Sequence, residues 1–344
     1  MSASIPNLNT LRRGRGRGRG GVVGSGGRVD NDAIVRNTDC DAATSRLSAV
    51  EAGYLNDPFA RYLTDESWQR RLPLMNRGTY VRTTGIDRIV DTFLLSTTGQ
   101  KQIISLGAGS DTRYFRLKQE QHTNFSYHEL DFKENNKIKI ARLKDPQCVQ
   151  TIKTLCSIDI STSKTTEDEL QSDDYFIHSQ DLRDLPKKLD WIDENIPTLF
   201  ISECCLIYLS PEQADRVLSY FTDMTTSAPT AVVIYEPIKP HDPFGQTMIR
   251  NLMSRGIQLQ TIEKYSDLLS QRERLTSRGL NARAADIEQI WRDWIEQEEK
   301  DRIDKLEWMD EVEEFLLLAK HYCISWGWTN YDDESRWLAL SAPT

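Results

Sequence analysis

Five short apolar runs recur along the middle of the chain, and each is followed by a more polar stretch. The runs are QIISLG (102–107), FSYHELD (125–131), DYFIHSQ (174–180), TLFISECC (198–205) and TAVVIYE (230–236). Helical spacing marks three stretches between or after them, 111–119, 133–143 and 211–224. Near-continuous apolar strands that alternate with helices are typical of a mostly parallel sheet covered on both faces. The pattern therefore predicts a doubly wound α/β fold.

Other segments, before, between and after these runs, predict further helices and strands. Apolar positions at helical spacing predict a helix over 77–95. The tetrapeptide SPEQ at 210–213 is a capping-box pattern and predicts a helix start there. The apolar stretches YCISWGW (322–328) and RWLALSA (336–342) predict two closing strands.

Composition divides the chain into a tail and one domain. The Arg/Gly stretch 12–27 cannot bury enough apolar surface to offset its ordering entropy. We therefore expect residues 1–36 to be a disordered tail, although such a tract is also compatible with RNA binding. Residues 37–344 are predicted to form a single domain. Within it, 145–172 is expected to be a long polar connection, and the charged helical segment 242–320 is expected to be a lid over the strand ends.

Charge and cysteine usage narrow the class of protein. Residues 1–36 hold seven arginines against two aspartates, a charge of +5, which leaves −14 on the remaining residues of a chain whose net charge is −9. A domain that acidic is a poor partner for nucleic acid. No apolar run approaches the length of a membrane helix, and the N-terminus has no signal-peptide core. Six cysteines without CxxC spacing indicate reduced thiols and no metal site, so we expect a cytoplasmic protein.

The turn after the first predicted strand carries the first chemical signal. Gly107 and Gly109 allow a ligand to approach the backbone closely, because neither has a Cβ. A dinucleotide fingerprint would have a third glycine and a pyrophosphate at the helix start. Here the turn continues with Asp111, which would repel a pyrophosphate but tolerate a ligand with a cationic sulfonium and an amino group. This favours S-adenosylmethionine over NAD, although a purely structural turn explains the glycines almost as well.

Acidic residues follow at the ends of the next predicted strands. Asp131 lies about twenty residues past the turn, where a carboxylate binds ribose hydroxyls; it could equally cap the next helix. Asp181 is within reach of an adenine amine or is an ordinary loop aspartate. Glu203 lies in an apolar strand, where a carboxylate needs a cationic partner, and we expect a cationic group of the ligand to be that partner. Together these positions predict a nucleotide-like cofactor at the carboxyl edge of the sheet.

Several separated motifs carry a family resemblance. They are TDCDAATSRLSAVEAGYLNDPF, NRGTYVRTTG, LGAGSDTRYFRL, ELDF, DLRDL, ISECCLIYLSPEQ and DPFGQTMIRNL. On these, residues 38–330 resemble the leucine carboxyl methyltransferase family. The resemblance implies a class I S-adenosylmethionine-dependent methyltransferase with added N-terminal helices and a helical lid. It also implies the substrate, which is the C-terminal leucine of the protein phosphatase 2A catalytic subunit.

The resemblance further implies roles for individual residues. The implied cofactor contacts are Arg82 with the cofactor's carboxylate, Gly107 with its methionine part, Asp131 with ribose, Asp181 and Leu182 with adenine, and Glu203 near the methionyl group. One position departs from the family pattern: relatives commonly have lysine where this chain has Arg46. Arginine and lysine bind carboxylates differently, so a surface arginine remains an alternative there.

The implied chemistry needs no general base. An α-carboxyl group has a pKa of about 3.5, so a C-terminal leucine is already ionised and nucleophilic at neutral pH. Catalysis then depends on proximity, orientation and a dry site. Arg46, Arg82 and Tyr208 are our candidates for steering the substrate carboxylate.

Two other functions remain open on the sequence. One is a related O-methyltransferase that acts on a small molecule or on tRNA, although tRNA-directed paralogues carry a long C-terminal repeat domain that this chain lacks. The other is a non-catalytic cofactor-binding protein. The set Arg82, Gly107, Asp131 and Glu203 favours an enzyme over the latter. We expect the protein to act as a monomer.

Overall fold

A computed structural model describes residues 31–225 and 227–340. Nine strands in this part of the chain form one sheet in the order β3-β4-β5-β2-β1-β6-β7-β9-β8. They are β1 (Lys101–Leu106), β2 (Phe125–Asp131), β3 (Lys164–Thr165), β4 (Leu170–Gln171), β5 (Tyr175–Ser179), β6 (Thr198–Glu203), β7 (Thr230–Pro237), β8 (Asn281–Asp286) and β9 (Tyr322–Thr329). Strands β5, β2, β1, β6 and β7 are parallel, whereas β9 runs antiparallel between β7 and β8. The predicted doubly wound, mostly parallel sheet is confirmed.

Helices cover both faces of the sheet. They are α1 (Asn31–Glu51), α2 (Pro73–Ser96), α3 (Arg113–Gln119), α4 (Lys133–Leu143), α5 (Pro146–Cys156), α6 (Pro211–Met224), α7 (Pro243–Met253), α8 (Leu268–Thr276), α9 (Ile287–Trp294), α10 (Gln297–Ile303), α11 (Val312–Ala319) and α12 (Ser335–Ala339). The start of α6 is the predicted capping box, in which Ser210 and Gln213 cap each other's backbone N–H groups. None of the helices in the described ranges is long and apolar enough to cross a membrane.

The hydrophobic core has two layers because alternate strand residues point to opposite faces of the sheet. On β1, Ile103 belongs to the layer that α2 and α3 cover, and Ile104 belongs to the layer that α6 covers. All six residues of β1 and all eight of β7 are buried. The parallel strands are therefore buried on both faces, which is why most of their residues are apolar and their runs were recognisable.

The structure corrects the predicted domain boundary and connections. Helix α1 begins at Asn31, six residues before the expected start of the domain, and residues 1–30 lie outside the described part. The expected polar connection 145–172 contains helix α5 and the short β3–β4 hairpin. Asp145 caps α5 through the backbone N–H groups of Gln147 and Cys148, a local signal that the polar composition concealed.

Two further predictions at the C-terminal end are wrong. Part of the expected helical segment is β8, an alanine-rich strand that exists because it pairs with β9 along its full length. The predicted closing strand 336–342 is helix α12 as far as Ala339, and residues 341–342 are not described. There Trp337 is buried and stacks on Trp328 of β9 with ring centroids 5.7 Å apart. A short apolar run lacks the periodicity to distinguish a strand from a helix.

Candidate active site

The predicted cofactor residues meet at one edge of the sheet. Gly107 follows β1, Asp131 ends β2, Asp181 lies two residues past β5, and Glu203 ends β6. These four strands are consecutive in the order β5-β2-β1-β6 and parallel, so their carboxyl ends lie side by side. Leu182, next to Asp181, packs against the core layer below this edge. Ligands of doubly wound sheets bind outside this edge.

The glycine turn is fixed by its neighbours on both sides. Gly107 has φ +64°, and a Cβ there would lie 2.6 Å from the sulfur of Cys205. Gly109 has φ +47°, and a Cβ there would collide with the carboxylate of Asp39. That carboxylate accepts hydrogen bonds from the backbone N–H of Ser110 at 2.8 Å and from its hydroxyl at 2.7 Å. Both positions therefore require glycine, and α1, which carries Asp39, closes over the turn.

The Asp131 carboxylate ties the ends of β1 and β2 together. It accepts hydrogen bonds from the backbone N–H of Gly109 at 2.7 Å, from that of Phe132 at 2.7 Å, and from the Asn135 amide at 2.9 Å. Burial raises its pKa to about 6 in spite of these donors. Both readings of this residue, ligand carboxylate and local cap, are thus compatible with its position, and the ribose role stays a prediction.

Arg82 of α2 meets Glu203 at the end of β6. Its Nε and Nη2 atoms lie 2.9 and 2.7 Å from one carboxylate oxygen, and Nη2 of Arg113 lies 2.7 Å from the other. The Arg82 guanidinium also stacks over the ring of Tyr235 at 4.5 Å. Burial disfavours a charged carboxylate, but Arg113 and Arg82 together hold the pKa of Glu203 below its ordinary value. The expectation that a ligand supplies the cationic partner of Glu203 is corrected, because two arginines of the protein already pair with this carboxylate.

Arg113 is a residue that the sequence analysis missed. Its side chain is only 1% exposed, and its guanidinium contacts Glu203, Asp111 at 2.6 Å and Asp87 at 3.0 Å. Burial opposes ionisation of Asp111, yet Arg113 and then Arg46 depress the pKa of that carboxyl. The only signal in the sequence is a charged residue directly after the turn, and that signal does not identify its partners.

Arg46 of α1 enters the same charge cluster. Its guanidinium nitrogens lie 3.6 Å from Asp57 and 3.7 Å from Asp111, and the side chain is 12% exposed. The surface-arginine alternative is therefore wrong. Its Nη1 atom is buried and has no hydrogen-bond partner among the described residues. Nη1 is also the atom that lies 3.6 Å from Asp57, so it is ion-paired without a hydrogen bond, and the role of Arg46 toward a second carboxylate stays a prediction.

Asp181, which is predicted to contact adenine, is linked to α1 through Arg183. Asp181 accepts hydrogen bonds from the Arg183 backbone N–H at 2.8 Å and from its Nη2 at 2.6 Å. The same guanidinium makes a bidentate pair with Asp32 of α1, at 2.9 and 2.7 Å. Asp181 also lies beside the end of β2, because the backbone N–H of the preceding residue, Gln180, donates to the Asp131 carbonyl at 3.0 Å.

Tyr208 lies in a single turn just after β6. It follows Cys204, whose φ of +48° is unusual for a residue with a side chain and marks a sharp bend behind Glu203. Burial raises the pKa of the Tyr208 phenol, and Arg82 is among the charges that act on it. The role of Tyr208 in steering the substrate carboxylate stays a prediction.

Helix α1 lies across the carboxyl ends of the strands. Besides the contacts to the turn and to Arg183, Asp41 forms an ion pair with Arg255. Ile34 contacts Gly256, where an added Cβ would lie 2.7 Å from the Ile34 side chain. The cover of the site thus combines α1 with part of the segment expected to form a lid.

The residues present fit S-adenosylmethionine. That cofactor has a carboxylate, an amino group, a ribose and an adenine. The site offers the guanidiniums of Arg46 and Arg82, and carboxylates at or just past the ends of β2, β5 and β6. The backbone of the glycine turn, from Gly107 to Gly109, is half-buried and belongs to the same edge.

Comparison with known proteins agrees with this chemistry. The profile of the leucine carboxyl methyltransferase family matches residues 34–222. Leucine carboxyl methyltransferase 1 of Aspergillus fumigatus is 48% identical over 377 residues, covering 96% of this chain and 95% of the relative. The protein of that name from Emericella nidulans is 48% identical with 95% of both chains covered, and the one from Bos taurus is 35% identical with 86% and 90% covered.

The sheet order and the site define a class I methyltransferase that uses S-adenosylmethionine as its cofactor. Its catalysed reaction is carboxyl methylation of leucine. The chain belongs to the leucine carboxyl methyltransferase family.

Proposed function

We propose that this enzyme transfers the methyl group of S-adenosylmethionine to the α-carboxylate of the C-terminal leucine of the protein phosphatase 2A catalytic subunit, giving a methyl ester. The observation that supports this is the pair Arg46 and Arg82, two shielded guanidiniums at the carboxyl edge of the sheet. Bidentate guanidiniums are the groups that recognise carboxylates best. The reaction brings two carboxylates to the site, that of the cofactor and that of the substrate.

Six residues are proposed to hold the cofactor. They are Arg82, Gly107, Asp131, Asp181, Leu182 and Glu203. Arg82 would hold the cofactor's carboxylate through guanidinium N–H groups that Glu203 does not use, because Nη1 makes neither of its two bonds to Glu203. Asp131 would accept from ribose hydroxyls, since a carboxylate has more acceptor sites than its three present bonds occupy.

This chain would contribute to the reaction by orienting the substrate carboxylate and by excluding water from the site. Bound S-adenosylmethionine supplies a methyl group on a cationic sulfur. The leucine carboxylate is ionised at neutral pH, with a pKa of about 3.5, so no residue of the chain has to remove a proton. Arg46 and Tyr208 are proposed to orient that carboxylate. Helix α1 would keep bulk water from the site, where opposite charges are consumed.

We also propose how the chain is organised, where it acts and what its partner is. Residues 37–344, extended at the N-terminal side by the start of α1 at Asn31, are proposed to act as one domain in which α1 and the segment 242–320 form the lid. We propose a monomer that acts in the cytoplasm, and the six cysteines, all free, support a reducing compartment. The partner is the C-terminal tail of the phosphatase, with neither membrane nor nucleic acid involved.

Transfer of a tritiated methyl group tests the proposal. The acceptors are a phosphatase 2A core enzyme and the same enzyme without its final leucine. We expect label only on the intact acceptor, in a form that mild base releases as an ester does. Equal labelling of both acceptors, or of neither, would contradict the proposed substrate. The Arg46→Ala variant reports whether the substrate carboxylate depends on that guanidinium.

A further inference from the structure

One tryptophan beside the active-site edge is almost completely exposed. Trp308 is 88% exposed, more than any other large apolar side chain in the residues described. Its neighbours are anchored: Glu307 accepts hydrogen bonds from Arg70 at 2.7 Å and from Asn76 at 2.8 Å, while Met309 packs against the core. The backbone on both sides of Trp308 is therefore fixed, and the indole is held out toward solvent. Tryptophan is among the residue types that most often carry the binding energy of protein interfaces.

The position of Trp308 relative to the cofactor site follows from α2. Asn76, which donates to Glu307, and Arg77, which pairs with Asp304 at 2.6 Å, lie on the same helix as Arg82. A helix rises 1.5 Å per residue, so Asn76 is about 9 Å from Arg82 along the axis. Trp308 thus flanks the carboxyl edge of the sheet. An extended tail spans about 10 Å with three residues, which is comparable with this axial separation.

The surroundings of Trp308 are acidic. Four carboxylates follow it within six residues: Asp310, Glu311, Glu313 and Glu314. None of the four forms an ion pair with a residue in the described ranges. Val312, among them, is 44% exposed. The segment 304–314, which we call the tryptophan rim, therefore combines an apolar anchor with unpaired negative charge.

We propose that the tryptophan rim is the docking surface for the folded body of the protein substrate, with Trp308 as its anchor. The partner has an apolar pocket bordered by basic side chains and presents its C-terminal leucine next to that pocket. Charge complementarity selects this occupant, since the unpaired carboxylates would repel an acidic surface. This inference rests on the proposed function and deepens it, because it assigns protein recognition to a surface separate from the residues that hold the leucine carboxylate.

Steady-state methylation of intact phosphatase 2A core enzyme tests the proposal, with KM and kcat measured for Trp308→Ala. Truncation of an interface anchor costs enough to raise KM for the protein at least tenfold. We expect kcat, affinity for S-adenosylmethionine and melting temperature to stay unchanged, because the indole lies outside the core and the cofactor site. Trp308→Phe keeps an aromatic anchor and should restore most of the affinity.

Leu95→Ala is the matched control. Leu95 is also an exposed apolar residue of the α2 region, 58% exposed, but lies thirteen residues beyond Arg82 toward the opposite end of the helix. Its truncation should leave KM unchanged. The double variant Asp310→Asn/Glu313→Gln should raise KM and weaken its dependence on salt.

The outcomes separate the two proposals. Equal KM values for wild type and Trp308→Ala would overturn the docking surface while leaving the proposed reaction intact. A rise in KM for Leu95→Ala equal to that for Trp308→Ala would also overturn it. No transfer to the phosphatase by the wild-type enzyme would overturn the proposed function and, with it, this partner.

Discussion

Arg113 and Glu203 are ninety residues apart in the chain and form a buried ion pair, with Nη2 2.7 Å from Oε1. The pair joins the helix after the glycine turn to the end of β6. Arg82 binds the other oxygen of the same carboxylate, so Glu203 is held from two sides. The carboxylate that we assign to the cofactor's methionyl group is therefore preorganised before any ligand enters. Charges fixed in this way need no rearrangement when the site is filled.

The first prediction concerns that organisation. The Arg113→Ala substitution removes a positive charge that pairs with the shielded carboxylates of Glu203, Asp111 and Asp87. Removing one partner of a buried ion pair costs about 3–5 kcal/mol, so we expect the free energy of unfolding to fall by about that amount. Urea denaturation followed by circular dichroism measures it. Arg61→Ala is the control, because its pair with Glu51 is exposed and should contribute about 0–1 kcal/mol. Similar losses in the two variants would contradict the buried network.

Arg82→Ala is expected to weaken binding of S-adenosylmethionine. Loss of one partner of a desolvated charge pair costs about 2–5 kcal/mol, which exceeds the contribution of an exposed pair. Arg82→Lys should recover only part of the affinity, because an ammonium group cannot form the two-pronged contact of a guanidinium. Calorimetric titration measures both, with circular dichroism as the folding control. Normal binding by a folded Arg82→Ala enzyme would remove this residue from the cofactor site.

The raised pKa of Asp131 predicts a pH dependence of stability. Its carboxyl has a pKa of about 6 in the folded protein and an ordinary value near 3.8 when unfolded, so the folded state binds more protons between these values. The contribution of Asp131 to the free energy of unfolding is therefore fully present below about pH 4, and it is lost as the pH rises through about 6. Asp131→Asn should remove that slope, a difference of roughly 2–3 kcal/mol across the interval. Denaturation of both proteins at pH 4 and pH 7 measures it; parallel curves would show that Asp131 does not titrate here.

Two glycine substitutions should act in opposite directions. Gly109→Ala forces a side chain into a left-handed backbone and against Asp39, so we expect a loss of about 1–3 kcal/mol in stability and weaker cofactor binding. Gly78→Ala meets open space inside α2 and should stabilise the protein by about 0.5–1 kcal/mol. Thermal unfolding with and without S-adenosylmethionine compares the two. A stabilising Gly109→Ala would mean that the turn tolerates a Cβ.

Two truncations locate the functional start of the chain. Deleting residues 1–30 should leave methyl transfer intact, because that segment lacks any core-forming pattern. Deleting residues 1–36 also removes Asp32 and its bidentate contact with Arg183, so we expect weaker cofactor binding from the longer deletion. Activity and calorimetric titration of both forms provide the measurement. Full loss of activity in the shorter deletion would assign the arginine tract a part in substrate capture.

The parallel sheet and the row of residues along its edge follow from local patterns in the sequence. Strands buried on both faces are continuous apolar runs, and the carboxyl ends of adjacent parallel strands must lie together. That is why Gly107, Asp131, Asp181 and Glu203 could be predicted to meet. The capping box at Ser210 was equally local, since its hydrogen bonds involve only residues 210–213.

Only the tertiary structure decided which charges pair with one another. Asp39 on the turn, Arg46 beside Asp111, and Arg113 against Glu203 join residues 65 to 90 positions apart. Electrostatic partners of this kind depend on distance in space, and no periodicity along the chain encodes them.

Tertiary contacts also decided β8 and α12. Neither segment has a decisive local pattern, so pairing with β9 and the stacking of Trp337 on Trp328 select the structure. Elements whose burial gives the sequence a regular hydrophobic pattern were thus predictable from that pattern. Elements without such a pattern, such as β8 and α12, depend on the residues that they contact in the folded protein.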